Sequence, residues 1–224
     1  MVGVGRPRGL RVDPFDRHWK RYESWFDVHE NAYLAEIRAL KALVPEGALG
    51  LEVGVGTGRF AGPLGIPFGV DPSRSMARVA LERGIGVAMG MGEALPFRSA
   101  AFELVLMVTT VCFLEDLDRA FQEARRVLRP GGSVVVGLVD RESPLGGEYL
   151  QRQAENLFYR VARFYSVGEI LSCLARAGFG AFSFRQTLFG PLEQTPPDEP
   201  VLEGHGAGSF VALRGTVLDH HSGG

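Results

Sequence analysis

The stretch Glu52-Val-Gly54-Val-Gly56-Thr-Gly58-Arg59-Phe60 constrains this chain more than any other. A short apolar run, Leu49 to Val53, enters it, and glycines at alternate positions allow a tight turn and close approach to the main chain. A strand that feeds such a turn and then a helix is expected to leave backbone N–H groups pointing over the strand's carboxyl end. Downstream the pattern alternates. Phe68 to Val70 reads as a second strand closed by Asp71-Pro72, and Ser73 caps a helix through Met76, Val79 and Ala80 to Gly84. Gly86 to Met89 and Phe102 to Thr110 read as the third and fourth strands. Leu117, Ala120, Phe121, Ala124 and Leu128 form one helical stripe, and Arg129-Pro130-Gly131-Gly132 turns into a fifth strand, Val134 to Val139. Strand and helix in alternation predict an α/β fold, a parallel sheet covered on both faces.

The flanks differ in character. Residues 1–15 read as a loose, glycine- and arginine-rich arm. Trp19, Tyr22, Phe26, His29 and Tyr33 then share one helical face, extended by Leu34, Ile37, Leu40 and Leu43 up to Pro45 and Gly47. After the fifth strand, Leu150, Ala154, Leu157, Phe158, Val161 and Tyr165 fit one helix. Ser166 and Glu169 form the capping box of another, which Gly178 ends. Two closing strands are expected near Phe182–Leu188 and Phe210–Leu213, flanking a loop rich in proline and acid. The expected organisation is one domain over residues 16–216, with a helical lid over 16–45, a cofactor-binding core over 47–140 and a tail over 217–224.

A nucleoside cofactor follows from the order strand, glycine turn, helix, strand, acid: Asp71 lies about 20 residues after the turn begins, where it accepts hydrogen bonds from ribose hydroxyls. A dinucleotide turn needs a third glycine where Arg59 stands. Glu52, just ahead of the first glycine, repels pyrophosphate and suits a cation. S-adenosylmethionine, with a sulfonium and an ammonium and no phosphate, meets that requirement.

Four motifs carry a resemblance. Glu52 to Gly58, Gly69-Val-Asp71-Pro-Ser73, Gly90-Met91-Gly92-Glu93-Ala94-Leu95-Pro96-Phe97 and Arg125-Arg126-Val127-Leu128-Arg129-Pro130-Gly131-Gly132 resemble, in order and spacing, the core of the class I methyltransferases related to ubiquinone and menaquinone biosynthesis. The resemblance covers about Gly47 to Val139. It implies a Rossmann-like, seven-stranded, mostly parallel sheet with antiparallel C-terminal edge strands and helices on both faces. It also implies S-adenosylmethionine as cofactor, held by Glu52, Gly54, Val55, Gly56, Thr57, Gly58, Asp71, Pro72, Met91, Gly92, Glu93 and Thr109. Two departures stand out. Met91 occupies a position where relatives often carry an aspartate, and Val111-Cys112-Phe113-Leu114 stands where they often carry histidine.

Methyl transfer from a sulfonium depends chiefly on positioning, and a base is needed only where the acceptor must lose a proton. Thr109 and Thr110, at the end of the fourth strand, are candidates beside the transferred methyl, or are ordinary β-branched strand residues. Tyr22, Trp25, Phe26, His29 and Tyr33 either wall an acceptor pocket or pack on the sheet, and His29 is either a base or a packed ring. Arg141, in Asp140-Arg141-Glu142-Ser143, either reaches the acceptor or belongs to a charged loop. Gly204-His205-Gly206 lies in a stretch able to fold over the site, and His220 and His221 lie in the tail.

Composition narrows the classes. A net charge of -2 provides no field for nucleic acid or an anionic membrane. Cys112 and Cys173 have no metal-ligand spacing, so no metal is expected. The chain begins with no signal peptide and contains no apolar run near the ~20 residues that span a bilayer, so a cytoplasmic enzyme is expected. The expected activity is metal-independent, in-line methyl transfer to a small-molecule acceptor. A cofactor-binding regulator without methyl transfer, and a nicotinamide-dependent dehydrogenase, remain as alternatives.

Overall fold

The computed structural model describes residues 9–218. The first part of the expected arm and the tail histidines lie outside them. Among these residues α-helices and strands follow in order: α1 (Gly9–Val28), α2 (Glu30–Lys41), β1 (Gly50–Val53), β2 (Phe68–Asp71), α3 (Arg74–Glu82), β3 (Gly86–Met89), β4 (Phe102–Val108), α4 (Leu117–Val127), β5 (Leu128–Val139), α5 (Pro144–Gln151), α6 (Val167–Arg176), β6 (Phe179–Thr187), β7 (Leu202–Glu203) and β8 (Phe210–Val217).

One sheet runs β3-β2-β1-β4-β5-β8-β6-β7. The first five strands are parallel, and β8 inserts antiparallel between β5 and β6. The central strands are buried on both faces, as their unbroken apolar text requires: Leu104, Val105, Leu106 and Met107 are 0% exposed. One core packs Phe121 and Ala124 of α4 and Ile170 and Leu174 of α6 on the sheet. The other packs Ala35, Ala39 and Leu40 of α2, Phe60 and Ala80 on the opposite face. Each such large side chain contributes about 1.5–3 kcal/mol by leaving water. Ser73 caps α3 through the amide of Met76, and the Ser166–Glu169 capping box opens α6.

Three expectations need correction. The sheet has eight strands, not seven: β7 pairs Leu202 with Gln186 and Glu203 with Arg185, too short a run to register as alternation in sequence. Helix starts at Gly9, not at Asp16, because tertiary contacts outweigh a weak local pattern. Phe15 packs edge-on against Phe113 at 4.8 Å and beside Phe158 at 5.0 Å. α1 bends at His18, which leaves helical angles (φ -121°, ψ 27°). The single helix expected over Leu150–Tyr165 is broken. The Asn156 carboxamide oxygen accepts from the amides of Phe158 and Tyr159, and Gln153 donates to the carbonyls of Tyr159 and Ala162, bonds that compete with helix. Among the described residues no helix is long and apolar enough to cross a membrane.

Candidate cofactor cleft and acceptor chamber

Strand order reverses at β1, whose neighbours β2 and β4 lead away on either side, and ligands of open α/β sheets bind in the crevice this opens at the carboxyl ends. A cleft lies there. Gly54, Gly56, Asp71, Pro72, Met91, Gly92, Glu93 and Thr109 line it, together with Thr110 and Ser73. Four other cofactor candidates stand behind its wall. Thr57 donates its hydroxyl to Glu23, Val55 packs against Gly69, Gly58 sits against Ile85, and Glu52 lies 1% exposed under the turn.

The turn's geometry revises one expectation. Gly54 and Gly56 adopt left-handed angles (φ +70° and +54°), and a Cβ on Gly54 would lie 2.5 Å from Thr110 Oγ1. Its amides, however, are mostly spent inside the protein. Those of Gly54 and Val55 donate to the Val70 carbonyl, that of Gly58 to the Val55 carbonyl, and that of Gly56 to Asp71 Oδ2 at 2.8 Å. An anion nest needs free N–H groups. What faces the cleft here is the Asp71 carboxylate, with Glu52 buried beneath the turn, an acidic setting suited to a cation.

Both carboxylates are pushed towards the neutral form. Burial raises Asp71 to about 6, against the hydrogen bonds it accepts from the amides of Ser73 and Gly56. Burial raises Glu52 well above the ordinary range, against a bond from the Ala61 amide and with Asp71 adding repulsion. Among the described residues Glu52 Oε2 is buried with no hydrogen-bond partner. Glu93 bridges instead to the loop after β4, accepting from the amide of Glu115 at 2.7 Å.

α1 lies across the turn and is fastened at two points, Asp16 and Glu23. Asp16 Oδ1 accepts from Ser73 Oγ at 2.8 Å and from the Ser75 amide at 3.0 Å. Glu23 takes Arg83 at 2.6 Å and Arg59 at 3.1 Å. Arg59, the residue in the dinucleotide glycine's place, thus rivets the N-terminal helix to the turn, with Phe26 beneath its guanidinium at 5.3 Å.

A second, larger cavity opens on the other side of Thr109, about 340 Å³ against about 110 Å³ for the cleft. Tyr22, Trp25, Phe26 and His29 line it. Tyr33 does not; its hydroxyl is turned away to the Arg59 carbonyl. Arg141 does not either, because it pairs with Glu169 at 2.9 Å. His205 packs on Phe184 at 4.9 Å, and Thr110 turns its hydroxyl to the Val108 and Gly54 carbonyls. Thr109 itself has φ +49°, a strained angle for a β-branched residue, and lines both cavities. Sequence reading missed Glu36, Tyr149, Tyr159, Phe164 and Tyr165 of the chamber.

Comparison with known proteins agrees with this layout. Residues 51–136 match the family described as "Methyltransferase domain". A Thermotoga maritima crystal structure described as an S-adenosylmethionine-dependent methyltransferase, possible histamine N-methyltransferase, superposes with TM-score 0.90 at 48% identity, over 92% of this chain and 99% of that one. The chain belongs to the S-adenosylmethionine-dependent methyltransferases. An uncharacterized protein of Methanocaldococcus jannaschii is 42% identical over 90% of this chain and 98% of its own. A malonyl-[acyl-carrier protein] O-methyltransferase of Geobacter sulfurreducens is 32% identical over 74% of this chain and 68% of its own. S-adenosylmethionine is therefore the cofactor of this methyltransferase, and the acidic lining and the Glu52 oxygen without a hydrogen-bond partner among the described residues fit it.

Proposed function

We propose that this methyltransferase carries a methyl group from S-adenosylmethionine in the cleft to a small molecule in the aromatic chamber, with Thr109 at the boundary. The observation that carries the reading is the contact of the two cavities through Phe15, Tyr22, Thr109 and Phe113, which line both. The bound cofactor supplies an electrophilic methyl on a sulfonium. The chain's residues supply position. Asp71 holds the ribose hydroxyls, the glycine turn with Glu52 buried beneath it faces the ammonium end, and Gly92, Met91 and Glu93 flank the base, with the Met91 thioether packing where an aspartate is absent. The cleft's aromatic roof, Phe15 and Tyr22, attracts a sulfonium by about 0.5–2 kcal/mol and excludes water. Holding donor and acceptor in line then accounts for much of the rate. Thr109 and His29 border the acceptor in this reading, while Tyr33 and Arg141 brace the walls.

The named relatives act on different atoms, nitrogen in one description and oxygen in the other, so they leave the acceptor open. Calorimetry with S-adenosylmethionine, S-adenosylhomocysteine and NAD, followed by a metabolite panel read for a methyl mass shift, tests the proposal. Tighter binding of NAD would overturn it. Cofactor binding without turnover of any acceptor would favour a regulator instead.

A further inference from the structure

One charged residue of the chamber has no structural task. Glu36 lies within the buried stripe of α2 formed by Ala32, Tyr33, Ala35, Ala39 and Leu40, is 3% exposed, and faces the cavity. Among the described residues no hydrogen bond or ion pair contributes to its state, and burial alone pushes it up to about 8. An unpaired buried carboxylate costs several kcal/mol, and an alanine or leucine there would continue the stripe without that cost. A positively charged ligand offsets that cost and lets the carboxyl ionise.

We propose that the chamber takes a small primary amine, with Glu36 as counter-charge and proton acceptor for its nitrogen, so that this enzyme is an N-methyltransferase. The proposal rests on the reading of this cavity as the acceptor site. The same cavity carries rings suited to a cation: Trp25 and Phe26 of α1, Tyr149 of α5, and Tyr159, Phe164 and Tyr165 of the segment before α6. The other titratable groups facing the cavity do not supply a buried cation. Tyr149 and Tyr159 share a hydrogen bond and are held as neutral phenols by burial, as is Tyr22. Arg21 is exposed at the rim, His29 stacks at a tilt on Trp25 at 5.1 Å, and Cys112 donates to the Thr109 carbonyl. The ammonium passes one proton to the Glu36 carboxylate and keeps the lone pair. That pair forms the new N–C bond as the C–S pair returns to sulfur, and the positive charge passes from sulfur to nitrogen.

The test titrates primary amines and their matched alcohols, beginning with 2-phenylethylamine and 2-phenylethanol, into the full chain with and without S-adenosylhomocysteine. Calorimetry at pH 7 in two buffers of different ionisation heat counts protons. We expect at least one amine to bind tenfold or more tighter than its alcohol, with release of up to one proton, since Glu36 starts protonated and the amine starts charged. Glu36→Gln should erase both the preference and the proton release while leaving alcohol affinity within about threefold, which shows an intact chamber. Alcohols binding as well as amines throughout the panel, or an amine preference that survives Glu36→Gln, would overturn the proposal. Failure to bind S-adenosylhomocysteine would instead refute the methyl-transfer reading, leaving the amine preference to be judged from the cofactor-free titrations.

Discussion

Replacing Glu36 by glutamine should stabilise the protein at neutral pH, with a pH dependence that identifies the cause. In the unfolded chain this carboxyl ionises near 4.5, and in the fold burial holds it neutral up to about 8. Below pH 4.5 both states are protonated and the group is silent. Between these values only the unfolded state releases the proton, so wild-type stability falls by about 1.4 kcal/mol per pH unit and levels off above pH 8. At pH 7 the accumulated loss is about 3 kcal/mol. Glutamine does not titrate, so the difference between variant and wild type should grow by that amount from pH 4.5 to 7, whatever constant offset the amide introduces. For a chain of this size it corresponds to roughly 6–12 °C in melting temperature. Guanidinium unfolding of both proteins at pH 4.5, 6, 7 and 8.5 measures it, and titrations shared by both cancel. Stability curves that run parallel across this range would refute the claim that Glu36 is buried without a partner.

Asp71→Ala should weaken S-adenosylmethionine binding by about 1–3 kcal/mol by calorimetry, through loss of charge-assisted bonds to the ribose; an unchanged dissociation constant in a folded variant would refute that role. Gly54→Ala should cost at least tenfold in cofactor affinity, since it forces a side chain into a left-handed angle against Thr110. Adding Thr110→Ala should restore part of the loss, and no rescue would show that backbone angle alone is at work. Burial alone would raise Glu23, but Arg83, Thr57 and Arg59 outweigh it and hold its carboxyl at about 2, so its contribution is complete above pH 4.5 and lost as pH falls through 2. Glu23→Gln should therefore cost about 1–2 kcal/mol at pH 7 after solvent screening, and speed proteolysis within α1; equal cleavage rates would show that the clasp does not hold the helix.

Much of the cleft was legible because its signals are local. Gly54 and Gly56, the cap at Ser73 and Asp71 at a strand's end fall within a short span, and the strand–helix rhythm around them is regular. The direction of the turn's amides was not legible, since it depends on pairing with Val70 across the sheet. The chamber was read only on its α1 side. Tyr149 and Tyr159 converge because side-chain bonds of Gln153 and Asn156 break a segment whose periodicity reads as one continuous helix. Glu36 did leave a trace, a charge three residues after Tyr33 and four before Leu40 in a buried stripe. It passes for surface unless each position is weighed against the face it shares. The pairing of Arg141 with Glu169 was not legible, because the two lie 28 residues apart.

The partition between the two cavities consists of Phe15, Tyr22, Thr109 and Phe113 among the described residues. Substitutions at Tyr149, Tyr159 or Phe164, none of which lines the cleft, therefore reshape the chamber and leave the cleft's lining as it is. Under the proposed reading, such a division lets a lineage exchange one acceptor for another while the costly apparatus for the sulfonium stays in place, and it tells an engineer which half of the molecule to vary.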